Sequence, residues 1–266
     1  DAVSAARAVL ETGDWNVAWN LQVEPNIIND MLAKGKGKHL IAPGTNTERV
    51  AINFSDPNKE VDGQRSEMHT PHPFLSDPAV RQALNLATDR DTIASQFYQG
   101  APGEPPTADV LVGIPAFQSP NTTYEFNLDK ANETLEAAGW VKDGDVRKKD
   151  GVELKMVYAT TINAVRQKTQ AVNKQNWEKA GFKVELQQVD AGIFFDSSEG
   201  NDQNLAHFYR DVQMYTNGSS SPFPLLYMSN WTTANINQKS NQWAPGGDSR
   251  WSNAEYDQIF DTLASE

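Results

Sequence analysis

The side chains whose types and spacing first suggest chemistry are two histidines separated by two residues, His69 and His72. Imidazole nitrogens are common ligands of zinc and related metals. Pro71 and Pro73 bracket the second histidine, so the two side chains cannot occupy successive turns of one helix. A structural metal site usually has four ligands, and no third ligand is evident in the sequence. We therefore predict no metal site and interpret the pair as part of a solvated loop.

The acidic residues leave one enzymatic possibility open. The chain has 35 Asp and Glu residues, and a secreted hydrolase could use two of them as an acid and a base. No pair is set apart by its spacing, and the sequence contains no nucleophile-elbow, phosphate-loop or dinucleotide-binding motif. It also contains no cysteine, which excludes thiol catalysis, disulfide bonds and cysteine-ligated zinc. We predict no cofactor.

Length, charge and hydropathy narrow the class of protein further. A chain of 266 residues can form one large domain or two smaller ones. The formal net charge of −12 repels phosphate backbones and anionic membranes, so we predict no nucleic-acid partner. No apolar run reaches the length of about 18 residues that spans a bilayer. The first residues also lack the basic and apolar regions of a secretory signal.

The stretch that organises the predicted elements is residues 73–100, which predicts two helices joined by a tight corner. Asp77 is predicted to cap the first helix, and Pro78 suits its first position. Asp89 is predicted to cap the second helix, and Gly100 to end it. The apolar stripe of the first helix consists of Val80, Ala83, Leu84 and Ala87.

The rest of the chain alternates between predicted helices, strands and loops. Further helices are predicted over residues 2–12, 24–33, 130–138 and 163–180, the third of them capped by Asp129. Strands are predicted over residues 39–43, 49–54, 152–158, 182–186 and 211–215. Residues 55–72 are predicted to form a loop, and Asp143-Gly144 and Asp150-Gly151 are turn signals that flank a predicted charged hairpin tip. The strand, helix and strand between residues 152 and 186 predict a βαβ unit with parallel strands.

Three segments resemble family 5 of the solute-binding proteins that serve peptide and nickel ABC importers. Within residues 73–100 the resemblance rests on Pro73, Phe74, VRQAL (residues 80–84), Ala87, Asp89, Arg90, Tyr98 and Gly100. Residues 128–140 (LDKANETLEAAGW) and 250–260 (RWSNAEYDQIF) resemble two further family motifs. Glu136 stands where a second leucine is common, and Ala254 where a proline is usual. The resemblance covers nearly the whole chain.

The resemblance implies an α/β fold, namely lobe II of a type II periplasmic-binding-protein-like structure with a mixed sheet flanked by helices. Residues 1–46 would be a remnant of lobe I near the hinge, and residues 47–266 would form lobe II. The implied function is that of a non-catalytic, monomeric receptor, which captures a peptide-like or other small solute between its lobes and delivers it to an ABC permease. Such a protein is expected in the periplasm or elsewhere outside the cytoplasm, anchored to the membrane.

The resemblance also implies a ligand contact after the strand predicted over residues 211–215. Peptide-binding relatives carry an aromatic residue, small residues and an aspartate here, and the aspartate holds the peptide's α-amino group. The residues of this chain are Tyr215, Thr216, Asn217, Gly218 and Ser219, without an acid. Because a buried ammonium needs a charged partner, we hypothesise that the protein binds no free peptide amine at this point and takes a different or neutral ligand. The alternative is a turn in which Asn217 and Gly218 only satisfy backbone geometry.

Arg166, near the start of the helix in the βαβ unit, is the remaining candidate for ligand binding. Some relatives place a cation at this helix turn that meets a ligand carboxylate, and the forked guanidinium suits that contact. The alternative interpretation is a solvated helix face. Trp231 and Trp243 lie in loop-like sequence, where both packing and ligand stacking stay open.

Besides a hydrolase, a structural or adhesive surface module is the other alternative to a receptor.

Overall fold

The computed structural model describes residues 8, 11–19, 24–34, 37, 38, 40, 44–98, 106–244 and 246–265. The helix predicted over residues 2–12 and the strand predicted over residues 39–43 lie largely outside the described residues, as does Gly100. The helices are α1 (Pro25–Lys34), α2 (Pro78–Leu86), α3 (Arg90–Phe97), α4 (Leu128–Ala137), α5 (Ala164–Lys179), α6 (Ala191–Phe194), α7 (Leu225–Met228) and α8 (Ala254–Ser265). The strands are β1 (Asn46–Ile52), β2 (Val141–Asp143), β3 (Val146–Lys149), β4 (Val152–Glu153), β5 (Lys155–Thr161), β6 (Lys183–Val189) and β7 (Val212–Gly218).

A mixed four-stranded sheet is the centre of the fold, with the strand order β1-β7-β5-β6. β1 runs antiparallel to β7, whereas β5 is parallel to both β7 and β6. The predicted βαβ unit is therefore confirmed, with α5 as its connecting helix. The helix packs on the sheet through Trp177, whose ring centroid lies 5.1 Å from that of Tyr158 on β5. The expected α/β class with a mixed sheet flanked by helices is confirmed.

A smaller antiparallel sheet, β2-β3-β4, lies between α4 and the central sheet in the sequence. Both predicted turns form, but the residues between them are the strand β3 and not the tip of a single hairpin. Gly144 and Gly151 occupy the two turns with positive φ angles of 62° and 81°, conformations that glycine adopts without a steric penalty. The predicted strand 152–158 is divided between the two sheets at the buried Leu154.

The two helices of residues 73–100 form as their capping residues predict. The side chain of Asp77 accepts a hydrogen bond from the amide of Ala79, and that of Asp89 accepts one from Thr92. Asp77 also accepts a hydrogen bond of 3.0 Å from the indole of Trp140, which ties α2 to the segment after α4. The predicted apolar stripe of α2 is buried in the main core, which also contains apolar residues of α4, α5 and the central sheet.

Two predicted boundaries are wrong because the structure offers better partners. Asn127, not Asp129, caps α4, since its side chain accepts a hydrogen bond from the amide of Lys130. β7 does not end at residue 215 but continues to Gly218, which pairs with Asn46 of β1. Here the need for glycine is steric, because a Cβ at Gly218 would overlap the backbone carbonyl of Thr45.

The interpretation of the histidine pair as a solvated loop is wrong for His72, which is only 1% exposed. Its Nε2 lies 2.8 Å from a carboxylate oxygen of Asp211, and its Nδ1 accepts a hydrogen bond from the amide of Leu75. The other carboxylate oxygen of Asp211 accepts a hydrogen bond from the amide of Val157 on β5. His69 is exposed and contacts Glu67 instead. His72 thus fixes the end of the 55–72 loop to the central sheet, away from His69.

Candidate ligand-binding site

Arg166 is buried, so its interpretation as part of a solvated helix face is wrong. Its guanidinium donates to both carboxylate oxygens of Glu48 at 3.1 Å and to the hydroxyl of Thr161 at 2.7 Å. It also donates to the hydroxyl of Thr216 at 3.2 Å, and Thr216 in turn donates to Glu48. The structure thus brings two predicted site residues, Arg166 and Thr216, together around one carboxylate of β1. Their role toward a ligand stays a prediction.

Tyr215 lies on the opposite face of the sheet, because successive residues of a strand point to alternate faces. It is 5% exposed, and its hydroxyl is hydrogen bonded to the carboxylate of Asp248. Asn237 donates a second hydrogen bond, of 2.8 Å, to the same carboxylate. The structure therefore separates Tyr215 from Thr216 although they are neighbours in the sequence.

Asn217, Gly218 and Ser219 lie at the end of β7 and in the residue that follows. The side chain of Asn217 accepts a hydrogen bond from the amide of Gly218. The hydroxyl of Ser219 donates to the carbonyl of Ser221 at 2.8 Å. Because Asn217 and Gly218 belong to β7 and pair with β1, their interpretation as a turn is wrong. The ligand-binding hypothesis stays a prediction.

An open cavity of about 1200 Å³ lies along β1 and is also lined by residues of α2, α3 and the segment 106–112. Its lining includes the polar residues Glu48, Arg49 and Tyr227, and an apolar floor is formed by Trp177 and Met214. Within the described part of the chain, neither Arg166 nor any of residues 215–219 belongs to this lining. The cavity is large enough for a small peptide or a similar solute.

Arg49 is the cavity residue that the sequence analysis missed. Its guanidinium carbon lies over three aromatic rings, at 5.2 Å from the centroid of Tyr215, 6.0 Å from Tyr227 and 5.6 Å from Trp231. It donates hydrogen bonds to the hydroxyls of Tyr227 at 2.8 Å and Tyr215 at 3.5 Å. We call Arg49 with these three rings the arginine cage. An arginine in a strand gives no sequence signal of this kind, since its partners are 166 to 182 residues away.

Asp248, behind the arginine cage, is buried and only 5% exposed. Burial raises the pKa of this carboxyl to about 6, although the hydroxyl of Tyr215 and the charges of Arg250 and Arg49 act in the opposite direction. Burial and the neighbouring carboxylate raise the pKa of Tyr215 well above its usual value. The phenol of Tyr215 therefore stays protonated at neutral pH and donates to Asp248.

Two more arginines line the cavity, and both are bonded to the protein itself. Arg81 donates to the carbonyls of Leu75 and Ser76, each at 2.8 Å. Arg90 donates to the carbonyl and the side chain of Asn85. These contacts hold the ends of α2, whereas the guanidinium of Arg49 bonds only phenol hydroxyls.

The described residues contain neither a cluster of metal ligands nor a membrane-spanning helix. No group of three or more histidines, aspartates or glutamates there is arranged to hold a metal ion. No helix among them has both the length and the apolar character that crossing a bilayer requires.

Comparison with protein families matches residues 1–239 to the middle part of family 5 of the bacterial extracellular solute-binding proteins. The chain belongs to this family. Among curated family members, the oligopeptide-binding protein OppA of Lactococcus lactis strain IL1403 is 37% identical over 117 residues. The aligned part is 42% of this chain and 19% of the relative.

Solved structures support the same family 5 fold over nearly the whole chain. An oligopeptide-binding protein from Thermus thermophilus, complexed with a pentapeptide, superposes with a TM-score of 0.75 at 21% identity. NikZ from Campylobacter jejuni, in complex with Ni(L-His), superposes with a TM-score of 0.72 at 19% identity. Each alignment covers 99% of this chain, but only 44% and 47% of the respective structures. The chain therefore spans less than half the length of these relatives, and the prediction of a periplasmic-binding-protein-like fold is confirmed.

Proposed function

We propose that this chain is the second lobe of an ABC-transporter substrate-binding protein, which captures a peptide-like or other small solute and delivers it to a membrane permease. The observation that carries the proposal is the open cavity of about 1200 Å³ in a chain that belongs to the family 5 solute-binding proteins. Residues 47–266 would form this lobe, and residues 1–46 would lie at the hinge and in the remnant of lobe I. The protein would act outside the cytoplasm as a membrane-anchored monomer.

The names of the relatives favour peptides as the solute. The curated relatives from Lactococcus lactis and Bacillus subtilis are both oligopeptide-binding proteins, and the Thermus thermophilus relative was solved with a pentapeptide. A nickel complex is the ligand of the Campylobacter jejuni relative. Peptides are preferred for this chain because the alignment with the peptide-binding proteins reaches 37% identity.

Capture without catalysis is the proposed mode of action. A receptor of this type closes when its ligand binds the closed state more tightly than the open state. One lobe supplies only part of those contacts, so residues 1–266 alone are expected to bind weakly or not at all. Submicromolar binding by this chain alone would contradict the two-lobe proposal.

The comparisons give no support to the alternative of a secreted hydrolase. Glu48 and Asp248, two carboxylates near the cavity, are engaged by Arg166 and by Tyr215 respectively.

Mass spectrometry of small molecules that copurify with the full-length protein tests the proposed function. We expect a peptide or a peptide-like solute that is recovered unchanged after the protein is unfolded. Recovery of cleaved products from an added peptide would favour the hydrolase. Absence of any bound solute, together with no heat on titration with peptide mixtures, would contradict a receptor.

The predicted lack of an amine-binding acid at residues 215–219 can be tested separately. Titration calorimetry would compare a tripeptide that has a free amine with the same tripeptide after N-acetylation. We expect affinities that differ by less than about threefold, since neutral groups replace the charged partner. A strong preference for the free amine would contradict the hypothesis.

A further inference from the structure

We propose that the arginine cage binds a carboxylate group of the captured solute, with Arg49 as the residue that selects for it. The inference rests on the proposed function, because it assumes that the cavity along β1 is a solute site. It moves the expected carboxylate contact from Arg166 to a residue that the sequence analysis did not single out.

Among the described residues, the positive charge of Arg49 is not balanced by a direct acidic partner. No carboxylate of the described residues forms an ion pair with it, whereas Arg166, across the strand, is paired with Glu48. Asp248 is the acid that stands behind the cage, but the hydroxyl of Tyr215 lies between and takes the direct contact. Arg250 also acts electrostatically on Asp248, so one carboxylate faces two guanidinium groups. Arg49 therefore presents a cation without an ion-pair partner among the described residues to the cavity, in a chain whose net charge is −12.

The guanidinium of Arg49 has more hydrogen-bonding capacity than its phenol partners use. Arginine has five N–H donors in a planar fork, and Arg49 uses two of its nitrogens to bond phenol hydroxyls. Phenol oxygens are neutral acceptors, which a carboxylate outcompetes because charge-assisted hydrogen bonds are roughly twice as strong. Arg49 is partly exposed and lines the cavity, so its remaining N–H donors can meet a ligand there.

The aromatic rings of the arginine cage hold the guanidinium in a fixed position. Tyr215 and Tyr227 are buried, so the rings that hold the guanidinium do not need to rearrange when a ligand arrives. The rings also stabilise the cation without neutralising it, since a cation–π contact leaves the full charge in place. A bound carboxylate would therefore meet a cation that is already oriented and partly desolvated.

The experiment is titration calorimetry of the full-length protein with two pairs of probes. The first pair is trialanine with a free carboxyl terminus and trialanine amide. The second pair is glutarate and its uncharged diamide, which present the carboxylate without a peptide. We expect each acid to bind at least about tenfold more tightly than its amide, as a charge-assisted hydrogen-bond pair predicts.

Variants assign this preference to the cage. Arg49→Gln is expected to reduce the preference for each acid to less than about threefold, and Arg49→Lys to retain part of it, because lysine keeps the charge but loses the fork. Arg65→Gln is the matched control, because Arg65 also lies over an aromatic ring, 4.3 Å from the centroid of Tyr209, but does not line the cavity. This control is expected to keep the wild-type preference.

A measurement on the wild-type protein covers the case in which Arg49→Gln does not fold. Glutarate is expected to shift the Nε–H signal of Arg49 in a ¹H–¹⁵N spectrum and to leave that of Arg65 in place. Equal shifts at both arginines, or none at Arg49, would overturn the inference.

The outcomes separate the two proposals. Peptide binding without an acid preference, or with a preference that persists in Arg49→Gln, overturns the cage and leaves the receptor function intact. Arg49-dependent binding of glutarate without any peptide binding supports the cage and contradicts peptide capture. Absence of binding by all four probes contradicts both.

Discussion

The two faces of β1 carry two arginines whose charges are balanced in different ways. On one face, Arg166 is buried against Glu48 and is bonded to two threonine hydroxyls. On the other face, Arg49 lies among three aromatic rings and bonds only neutral phenols. The first arrangement has a complete set of partners, whereas the second lacks a carboxylate partner in the described chain. The difference indicates that the pairing of Arg166 with Glu48 maintains the fold and that Arg49 is available to an incoming group.

The largest expected effect is on the Glu48 face. Arg166→Gln leaves the largely buried carboxylate of Glu48 without its cation, and we expect the free energy of unfolding to fall by about 4 kcal/mol. Urea denaturation measures this change. Lys174→Gln is the control, since it removes an exposed ion pair with Glu178 that is worth at most about 1 kcal/mol. Equal losses in both variants would remove the contrast between the two faces.

The second effect comes from Asp248, behind the Arg49 face. Its pKa is raised from 3.8 to about 6, so the folded protein keeps a proton that the unfolded chain releases between these values. The resulting stabilisation is complete below about pH 4 and is lost as the pH rises through about 6, a change of roughly 3 kcal/mol.

Asp248→Asn isolates this contribution. The variant has no proton to release at this position, so its advantage over the wild-type protein is expected to grow from about pH 4 to about pH 7. Denaturation at a series of pH values measures the difference. A constant difference across the series would show that Asp248 titrates normally.

The third expected effect tests the pairing of β1 with β7, which determines which side chains share a face of the sheet. Gly218→Ala forces a methyl group against the carbonyl of Thr45, and we expect a loss of about 2 kcal/mol in stability. Gly200→Ala is the matched control, because no atom lies within 4 Å of the added Cβ. Thermal unfolding of both variants compares them. A neutral Gly218→Ala variant would contradict the close approach of β1 and β7.

The smallest effect on stability is expected for Arg49→Gln. It removes the cation–π contacts and two hydrogen bonds to phenols without leaving a buried charge behind, so we expect a loss of about 1 kcal/mol. Urea denaturation of Arg49→Gln beside Arg166→Gln gives the direct comparison of the two faces. A loss as large as that of Arg166→Gln would assign Arg49 to the fold instead of to a ligand.

The sequence predicted those parts of the fold whose causes are local. The caps Asp77 and Asp89 lie within three residues of the amides that they bond, so the two helices could be predicted from spacing alone. The alternation of apolar and polar residues along β5 and along β6 is a local pattern as well. By contrast, β7 ends at Gly218 because β1 pairs with it, and β1 lies more than 160 residues earlier.

The candidate site was less predictable because its contacts join distant parts of the chain. Arg166 meets Glu48 across 118 residues, and His72 meets Asp211 across 139. When the partner is unknown, the simplest interpretation places each of these polar side chains on a solvent-exposed helix face or in a loop. Arg49 is the extreme case, because its three aromatic partners come from β7, α7 and the 3-10 turn after it.

The position of Trp231, 5.6 Å from the guanidinium of Arg49, also makes the protein its own optical probe. The excited state of an indole is sensitive to nearby charge, so an anion that neutralises Arg49 should change the wavelength at which Trp231 emits. Seven tryptophans contribute to the total emission, and the spectrum of a Trp231→Phe variant would isolate the contribution of this one. The arrival of a solute could then be followed in real time without any attached dye.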